Sequence, residues 1–117
     1  MAVIGGGPVG LAAAAALRQS GLSLRLFESR DWPRDGACGE GILPQGLAAL
    51  KALGVEPLGM PIRGIEYHDP RSGVARGNFG ENIGMGVRRL ELSRALLEVC
   101  RDGVELHANC PVKSLAR

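Results

Sequence analysis

The sequence predicts an α/β fold with a parallel sheet, a glycine-rich β-α-β start and a small β-hairpin insertion. At the amino terminus an apolar run, a glycine turn, an alanine-rich segment and a second apolar run follow one another, in the order of a parallel β-α-β unit. Further along, two apolar stretches flank the turn sequence 69–73, which indicates the hairpin. The length of 117 residues fits one domain.

The first elements follow from local composition. The run 2–4 is predicted to form a short buried strand, because it is apolar and three glycines stop it at once. Pro8 suits the first turn of a helix, and the segment 9–19 is rich in alanine, the strongest helix former. Alternating leucines predict a second strand over 22–28.

The rest of the chain alternates in the same way. Residues 29–43 carry four glycine or proline breaks and are predicted to form a loop. The later elements are predicted as a helix over 44–53, hairpin strands over 62–68 and 74–79, a helix over 90–101 and a strand over 104–108.

Composition excludes several classes of function. The 14 basic and 12 acidic residues form no basic face or tail, so nucleic acid is not an expected partner. No apolar run is long enough for a transmembrane segment. Three cysteines without a CxxC pair, and histidines without metal-ligand spacing, predict a cytoplasmic protein with no metal site.

A glycine motif carries the functional signal. Gly5, Gly7 and Gly10 match the pattern GxGxxG between a strand and a helix, and Glu28 ends the next strand 18 residues later. Gly5 makes the tight turn, Gly7 lets the backbone approach a pyrophosphate, and Gly10 allows close packing of helix on strand. Together with Pro8 and Val9, these residues place the amino terminus of a helix at the diphosphate of a dinucleotide.

Glu28 narrows the choice of dinucleotide. A carboxylate at this spacing accepts hydrogen bonds from the ribose hydroxyls of adenosine. It would repel a 2′-phosphate, which argues against NADP in this site. The spacing does not distinguish FAD from NAD.

Two later segments resemble a known superfamily. The stretch from Cys38 to Gly54, with the sequence CGEGILPQGLAALKALG, resembles the corresponding stretch of FAD-dependent oxidoreductases of the geranylgeranyl reductase type. These belong to the wider superfamily of aromatic-ring hydroxylases and flavin monooxygenases. The segment 86–97 is similar to the Arg-x-x-Leu-x-x-x-Leu segment of the same enzymes, with Arg89, Leu92 and Leu96 in register.

The resemblance implies a Rossmann-like FAD/NAD(P)-binding domain in a monooxygenase or prenyl-type reductase, in which flavin serves for hydride transfer or oxygen activation. It implies a small-molecule substrate, apolar or aromatic, and NAD(P)H as a candidate electron donor. The residues it assigns to FAD are the glycine turn and a set that follows it: Gly5, Gly7, Pro8, Val9, Gly10, Glu28, Ser29, Arg30, Gly39, Glu40, Gly41 and Arg89.

Several alternatives stay open. Arg89 either contacts the cofactor or is a solvated arginine, and Glu40 either touches the cofactor or caps the following turn. Cys38 has either a redox or contact role near the flavin or none. No catalytic residue is identified. The chain could instead be an NAD-binding dehydrogenase domain or a non-catalytic nucleotide-binding module.

The resemblance also predicts the extent of the domain. Members of the superfamily carry a later Gly-Asp segment that contacts FAD and a domain that covers the substrate, and neither is recognised in this sequence. Residues 1–117 are therefore expected to be the amino-terminal portion of an FAD-binding domain, inactive alone because nothing in them encloses the flavin ring.

Overall fold

A computed structural model of the chain describes residues 1–36, 38 and 40–115. The elements in chain order are β1 (Ala2–Ile4), α1 (Pro8–Leu17), β2 (Leu24–Phe27), β3 (Gly41–Ile42), α2 (Pro44–Ala52), β4 (Met60–Ile62), β5 (Gly64–Asp69), β6 (Gly73–Asn78), β7 (Gly84–Gly86), α3 (Arg89–Cys100) and β8 (Val104–His107). No helix among the described residues is long and apolar enough to cross a membrane.

The first sheet confirms the predicted parallel β-α-β start. Its strand order is β1-β2-β8, and both pairings are parallel. In this register Val3, Leu26 and Leu106 lie side by side on one face of the sheet. The neighbouring positions on the other face include Arg25 and Glu105, whose side chains form an exposed ion pair at 2.9 Å.

The core lies between this sheet and the helices α1 and α3. Alternation along β2 buries Leu24 and Leu26 on the helix side, because successive side chains of a strand point to opposite faces. Small residues of α1 and larger ones of α3 meet them in a single apolar cluster. Its buried members are Leu11, Ala14, Ala15, Leu24, Leu26, Val55, Leu96, Leu97, Cys100 and Val104.

The middle of the chain differs from the predicted loop and hairpin. The hairpin β5–β6 is confirmed, with its turn after Asp69, but Ile62 belongs to a separate strand, β4. The strands β3 and β4 both pair with β7 in an antiparallel sheet that was not predicted. These three strands have two or three residues each, too few to show an alternating pattern.

The turn between β1 and α1 depends on two of its glycines. Gly5 has a φ of +99°, which a residue with a side chain rarely adopts, and its N–H donates to the carbonyl oxygen of Phe27 at 2.8 Å. Gly10 lies where α1 passes over this turn. A Cβ atom at Gly10 would collide with the carbonyl oxygen of Gly5, whereas a Cβ at Gly7 would meet nothing within 4 Å.

We therefore expect Gly10→Ala to lower the free energy of unfolding by about 3 kcal/mol, because the added methyl group pushes α1 away from backbone that has no room to move. The matched variant Gly7→Ala should change it by no more than about 1 kcal/mol, since its methyl group enters open space. Urea denaturation of the two variants measures the difference. Equal stability of the two would show that α1 and β1 do not approach as closely as described.

Candidate functional site

A cavity of about 200 Å³ lies where β1 ends and α1 begins. Gly6, Gly7 and Pro8 form one wall of it. The first N–H groups of α1 have no partner within the helix, and the helix dipole makes this end positive. The opposite walls come from a loop and from α3: Arg34, Asp35, Gly36, Arg89 and Ser93. The cavity therefore combines a helix amino terminus with two arginines and one aspartate.

Glu28 lies directly after β2, with its side chain turned toward the glycine turn. One carboxylate oxygen, Oε2, accepts the N–H of Gly6 at 2.7 Å. The other, Oε1, accepts the hydroxyl of Ser29 at 2.9 Å and the N–H of Arg30 at 3.0 Å. The residue is only 3% exposed. Glu28 thus fixes the end of β2 to the turn after β1.

These contacts determine the protonation of Glu28. Burial raises the pKa of the carboxyl, but the donors from Gly6, Ser29 and Arg30, with the positive charge of Arg34, more than offset it. The net pKa is below the ordinary value for glutamate. Glu28 is therefore a carboxylate at neutral pH, as its predicted role requires.

Trp32 covers the glycine turn from the side of the loop. Its indole N–H donates to the carbonyl oxygen of Gly6 at 3.0 Å, and its ring occupies the space where a side chain at position 6 would begin. Two residues later, the backbone N–H of Arg34 donates to the hydroxyl of Ser93 at 3.2 Å. The segment 32–36 is thus attached to the turn at one point and to α3 at another.

The helix α3 contributes Arg89 and Ser93 to the cavity. The two residues are four positions apart and therefore lie on the same face of the helix, one turn from each other. Ser93 is buried, whereas Arg89 is partly exposed at the first position of the helix. Arg89, for which either cofactor contact or solvation was predicted, thus lines the same cavity as Gly6, Gly7 and Pro8.

The loop before β3 lies against the antiparallel sheet and not at the cavity. Glu40 has a φ of +52°, and its carbonyl oxygen accepts the N–H of Val87 at 2.7 Å, which links the loop to the antiparallel sheet. Gly41 pairs with Gly86 in that sheet. Neither Glu40 nor Gly41 lines the cavity at α1. The prediction for Gly39 lies outside the described residues.

Cys38 is exposed and lies near Arg89. The N–H of Glu40 and then the guanidinium of Arg89 lower the pKa of its thiol from the ordinary value. Its solvent exposure and this shift give the thiol more thiolate character than a buried cysteine such as Cys100, whose pKa is raised by burial.

The structure brings together part of the predicted set. Gly7, Pro8 and Arg89 line the cavity, while Glu28, Ser29 and Arg30 form a hydrogen-bonded group beside it. Gly5 and Gly10 do not line the cavity, but the positive φ of Gly5 and the close packing at Gly10 determine the shape of the turn. Val9 is 85% exposed on α1 and does not line the cavity.

Sequence reasoning missed Trp32, Arg34 and Ser93. The spacing of four between Arg89 and Ser93 on a helix was the one available signal, since it predicts that both side chains share a face. The contacts of Trp32 with Gly6 and of Arg34 with Ser93 span 26 and 59 residues, so no local pattern indicates them.

Comparisons with known proteins agree with this geometry. A family model described as an NAD(P)-binding Rossmann-like domain matches residues 3–35. The chain is 31% identical over 112 residues to a menaquinone reductase of Mycobacterium tuberculosis, covering 86% of this chain and 26% of the relative. It is 34% identical over 116 residues to an FAD-dependent urate hydroxylase of Klebsiella pneumoniae, covering 88% of this chain and 30% of that enzyme.

A solved structure matches as well. The flavin-dependent halogenase CmlS superposes with a TM-score of 0.84 at 25% sequence identity, over 97% of this chain and 23% of the halogenase. The chain thus spans 26% and 30% of the length of these two curated relatives. It has the Rossmann-like FAD/NAD(P)-binding fold, and it is similar to a part of FAD-dependent oxidoreductases and monooxygenases.

Proposed function

We propose that residues 1–117 are the FAD-binding portion of a flavin-dependent oxidoreductase. The observation that carries this proposal is the cavity at the start of α1, where Gly7 leaves open space beside two arginines. One of its wall residues, Gly6, donates its N–H to the carboxylate of Glu28. A dinucleotide has a diphosphate for the positive end of the cavity and a ribose for the carboxylate. A sugar or another neutral ligand would use the carboxylate but not the positive end of the cavity.

The residues present fit the diphosphate. Because a Cβ at Gly7 would meet nothing within 4 Å, a ligand atom has room to approach the backbone there. The N–H groups at the start of α1 would donate to the phosphate oxygens, and Arg89 would supply a positive charge from α3. The one acidic residue among those lining the cavity, Asp35, leaves an excess of positive charge for an anion.

Glu28 fits the ribose in a more restricted way. A carboxylate has about four acceptor positions, and Gly6, Ser29 and Arg30 use three of them. With the donors found in the described part of the chain, one position is left for a ribose hydroxyl. The same carboxylate disfavours a 2′-phosphate, so the adenosine of FAD or NAD suits the site better than that of NADP.

The relatives favour flavin over nicotinamide. The urate hydroxylase of K. pneumoniae is FAD-dependent and the halogenase CmlS is flavin-dependent. When bound, the flavin supplies hydride transfer or oxygen activation, and the residues of this chain bind and orient it. The resemblance to reductases of the geranylgeranyl type, and the similarity to a menaquinone reductase, support a small apolar or aromatic substrate.

The remaining assignments are part of the same proposal. We propose NAD(P)H as the electron donor, as the resemblance to flavin monooxygenases implies. The three free cysteines favour the reducing environment of the cytoplasm. Ser29 and Arg30 would lie beside the adenosine, whereas Glu40 and Gly41 would contact the cofactor farther from the diphosphate, since they are absent from the cavity at α1.

The cofactor itself can be tested by titration. We expect the purified protein to bind FAD more tightly than NAD or NADP, measured by calorimetry with each dinucleotide under identical conditions. NADP should bind most weakly of the three because of Glu28. Tighter binding of NAD than of FAD would favour the alternative of an NAD-binding dehydrogenase domain.

Replacement of Glu28 by glutamine should affect both binding and folding. In Glu28→Gln a neutral amide faces three donors, so we expect the free energies of FAD binding and of unfolding each to fall by about 1–3 kcal/mol at pH 7. Because the folded-state pKa of Glu28 is lowered, its carboxylate stabilises the fold above the ordinary glutamate pKa and stops doing so as the pH falls through the lowered value.

The stability difference between Glu28→Gln and the parent protein should therefore be constant near neutral pH and shrink as the pH falls below about 4.5. Urea denaturation across this pH range measures it. A difference that did not change with pH would mean that the Glu28 carboxylate does not stabilise the fold through these contacts.

Replacement of Gly7 by valine tests the close approach of the diphosphate. The side chain of Gly7→Val would fill the space that the phosphates need, so we expect FAD affinity to fall at least about 100-fold while helix content stays constant. Gly77→Val is the matched control, because a Cβ at Gly77 also meets nothing within 4 Å and Gly77 lies in β6. Flavin fluorescence titration with circular dichroism separates the two effects, and retained binding in Gly7→Val would refute this role.

A further inference from the structure

The segment 32–36 is held in place by contacts that its own sequence does not explain. Its first residue, Trp32, is hydrogen-bonded to the glycine turn, and its middle residue, Arg34, donates its backbone N–H to Ser93 on α3. Ser93 is only 2% exposed. A buried hydroxyl usually has a hydrogen-bonding partner, and here that partner is the backbone of an otherwise exposed loop. The contact therefore fixes where the loop places its side chains.

The side chain that this contact directs is that of Arg34. It lines the same cavity as Gly7 and Arg89. Its guanidinium approaches the Glu28 carboxylate only to 4.0 Å, which is beyond hydrogen-bond distance, and the side chain remains 42% exposed. The oxygens of Glu28 already accept three hydrogen bonds from other groups. Within residues 1–36, 38 and 40–115 the Arg34 guanidinium donates no hydrogen bond, so its five N–H donors can serve a ligand in the cavity.

The charge balance of the cavity indicates what the N–H donors of Arg34 would bind. A dinucleotide diphosphate carries about two negative charges at neutral pH. Arg89 together with Asp35 contributes no net charge, so without Arg34 only the helix dipole would offset the diphosphate. Arginine also presents parallel donors that match two phosphate oxygens, which lysine does not.

We infer that Arg34 is a ligand of the cofactor diphosphate, and that Ser93 is a positioning residue that holds Arg34 over the cavity through its backbone. This inference rests on the proposed binding of FAD. It assigns to α3 two tasks in the same site: Arg89 acts on the cofactor directly, and Ser93 acts through the segment 32–36.

The experiment measures FAD by flavin fluorescence and ADP by competition, using the purified protein. We expect Arg34→Gln to weaken both ligands at least about tenfold at low salt, because both contain the diphosphate. The loss should shrink in 1 M NaCl, where the charge of Arg34 is screened. Arg34→Lys should restore part of the affinity. Arg71→Gln is the control, because Arg71 lies in the exposed turn between β5 and β6. This variant should bind FAD as tightly as the parent protein does.

A double-mutant cycle tests the role of Ser93. We expect Ser93→Ala to weaken FAD about threefold to tenfold, and the double variant Ser93→Ala/Arg34→Gln to bind no more weakly than Arg34→Gln alone, because the hydroxyl acts only through Arg34. General structural damage would instead make the two losses additive, which would overturn the role of Ser93. Urea denaturation of each variant confirms that folded protein is compared.

The outcomes also separate this inference from the proposed function. If the parent protein binds FAD and Arg34→Gln binds it within twofold of the parent, the role of Arg34 is wrong and the proposed function stands. If the parent protein does not bind FAD or ADP, both are wrong.

Discussion

The site depends on one buried carboxylate. Glu28 is almost fully removed from solvent at the end of β2, and such a charge is tolerated only when it is well provided with hydrogen bonds. It receives three, and one of them comes from Gly6 in the turn after β1. The geometry of the turn, and with it the amino terminus of α1, is thereby fixed relative to the neighbouring strand. Beside this bond, the sheet ladder and the hydrogen bond from the Gly5 N–H to the carbonyl oxygen of Phe27 join the same two strand ends.

The core supports that arrangement from the other side. The close passage of α1 over Gly5 is allowed by Gly10, and the small residues Ala14 and Ala15 continue the close packing along the helix. Behind them, α3 buries Leu96 and Cys100 against α1, with the thiol of Cys100 donating to the carbonyl oxygen of Leu11 at 3.3 Å. The same helix therefore packs the core with one face and turns Arg89 and Ser93 to the cavity with another.

The sequence was most informative where a structural role needs a run of residues or a fixed spacing. β1, α1, β2, α3 and β8 were predicted because each carries a periodic apolar pattern or a clear stop. The antiparallel sheet was missed because its strands, with two or three residues each, are too short for periodicity. At Gly84 the neighbouring backbone is so close that a Cβ atom would come within 2.7 Å of the carbonyl oxygen of Ile42, so this position favours glycine and adds nothing to a side-chain pattern.

The residues of the site divide in the same way: those with a fixed spacing were predicted, and those without one were missed. The glycine turn and Glu28 have a spacing that the β-α-β unit itself imposes, so they were found. Trp32, Arg34 and Ser93 are brought together by contacts between segments distant in sequence, and their residue types alone indicate nothing. A site built partly from a motif and partly from tertiary packing is predictable only in its first part.

The indole of Trp32 couples the residue types that positions 6 and 32 can hold. Its ring fills the space beside Gly6, so that a side chain at position 6 has no room while tryptophan is at position 32. A larger residue at position 6 requires that the Trp32 ring shift or be replaced by a smaller side chain. Substitutions at these two positions are therefore expected to arise as compensating pairs during divergence, although 26 residues separate them along the chain.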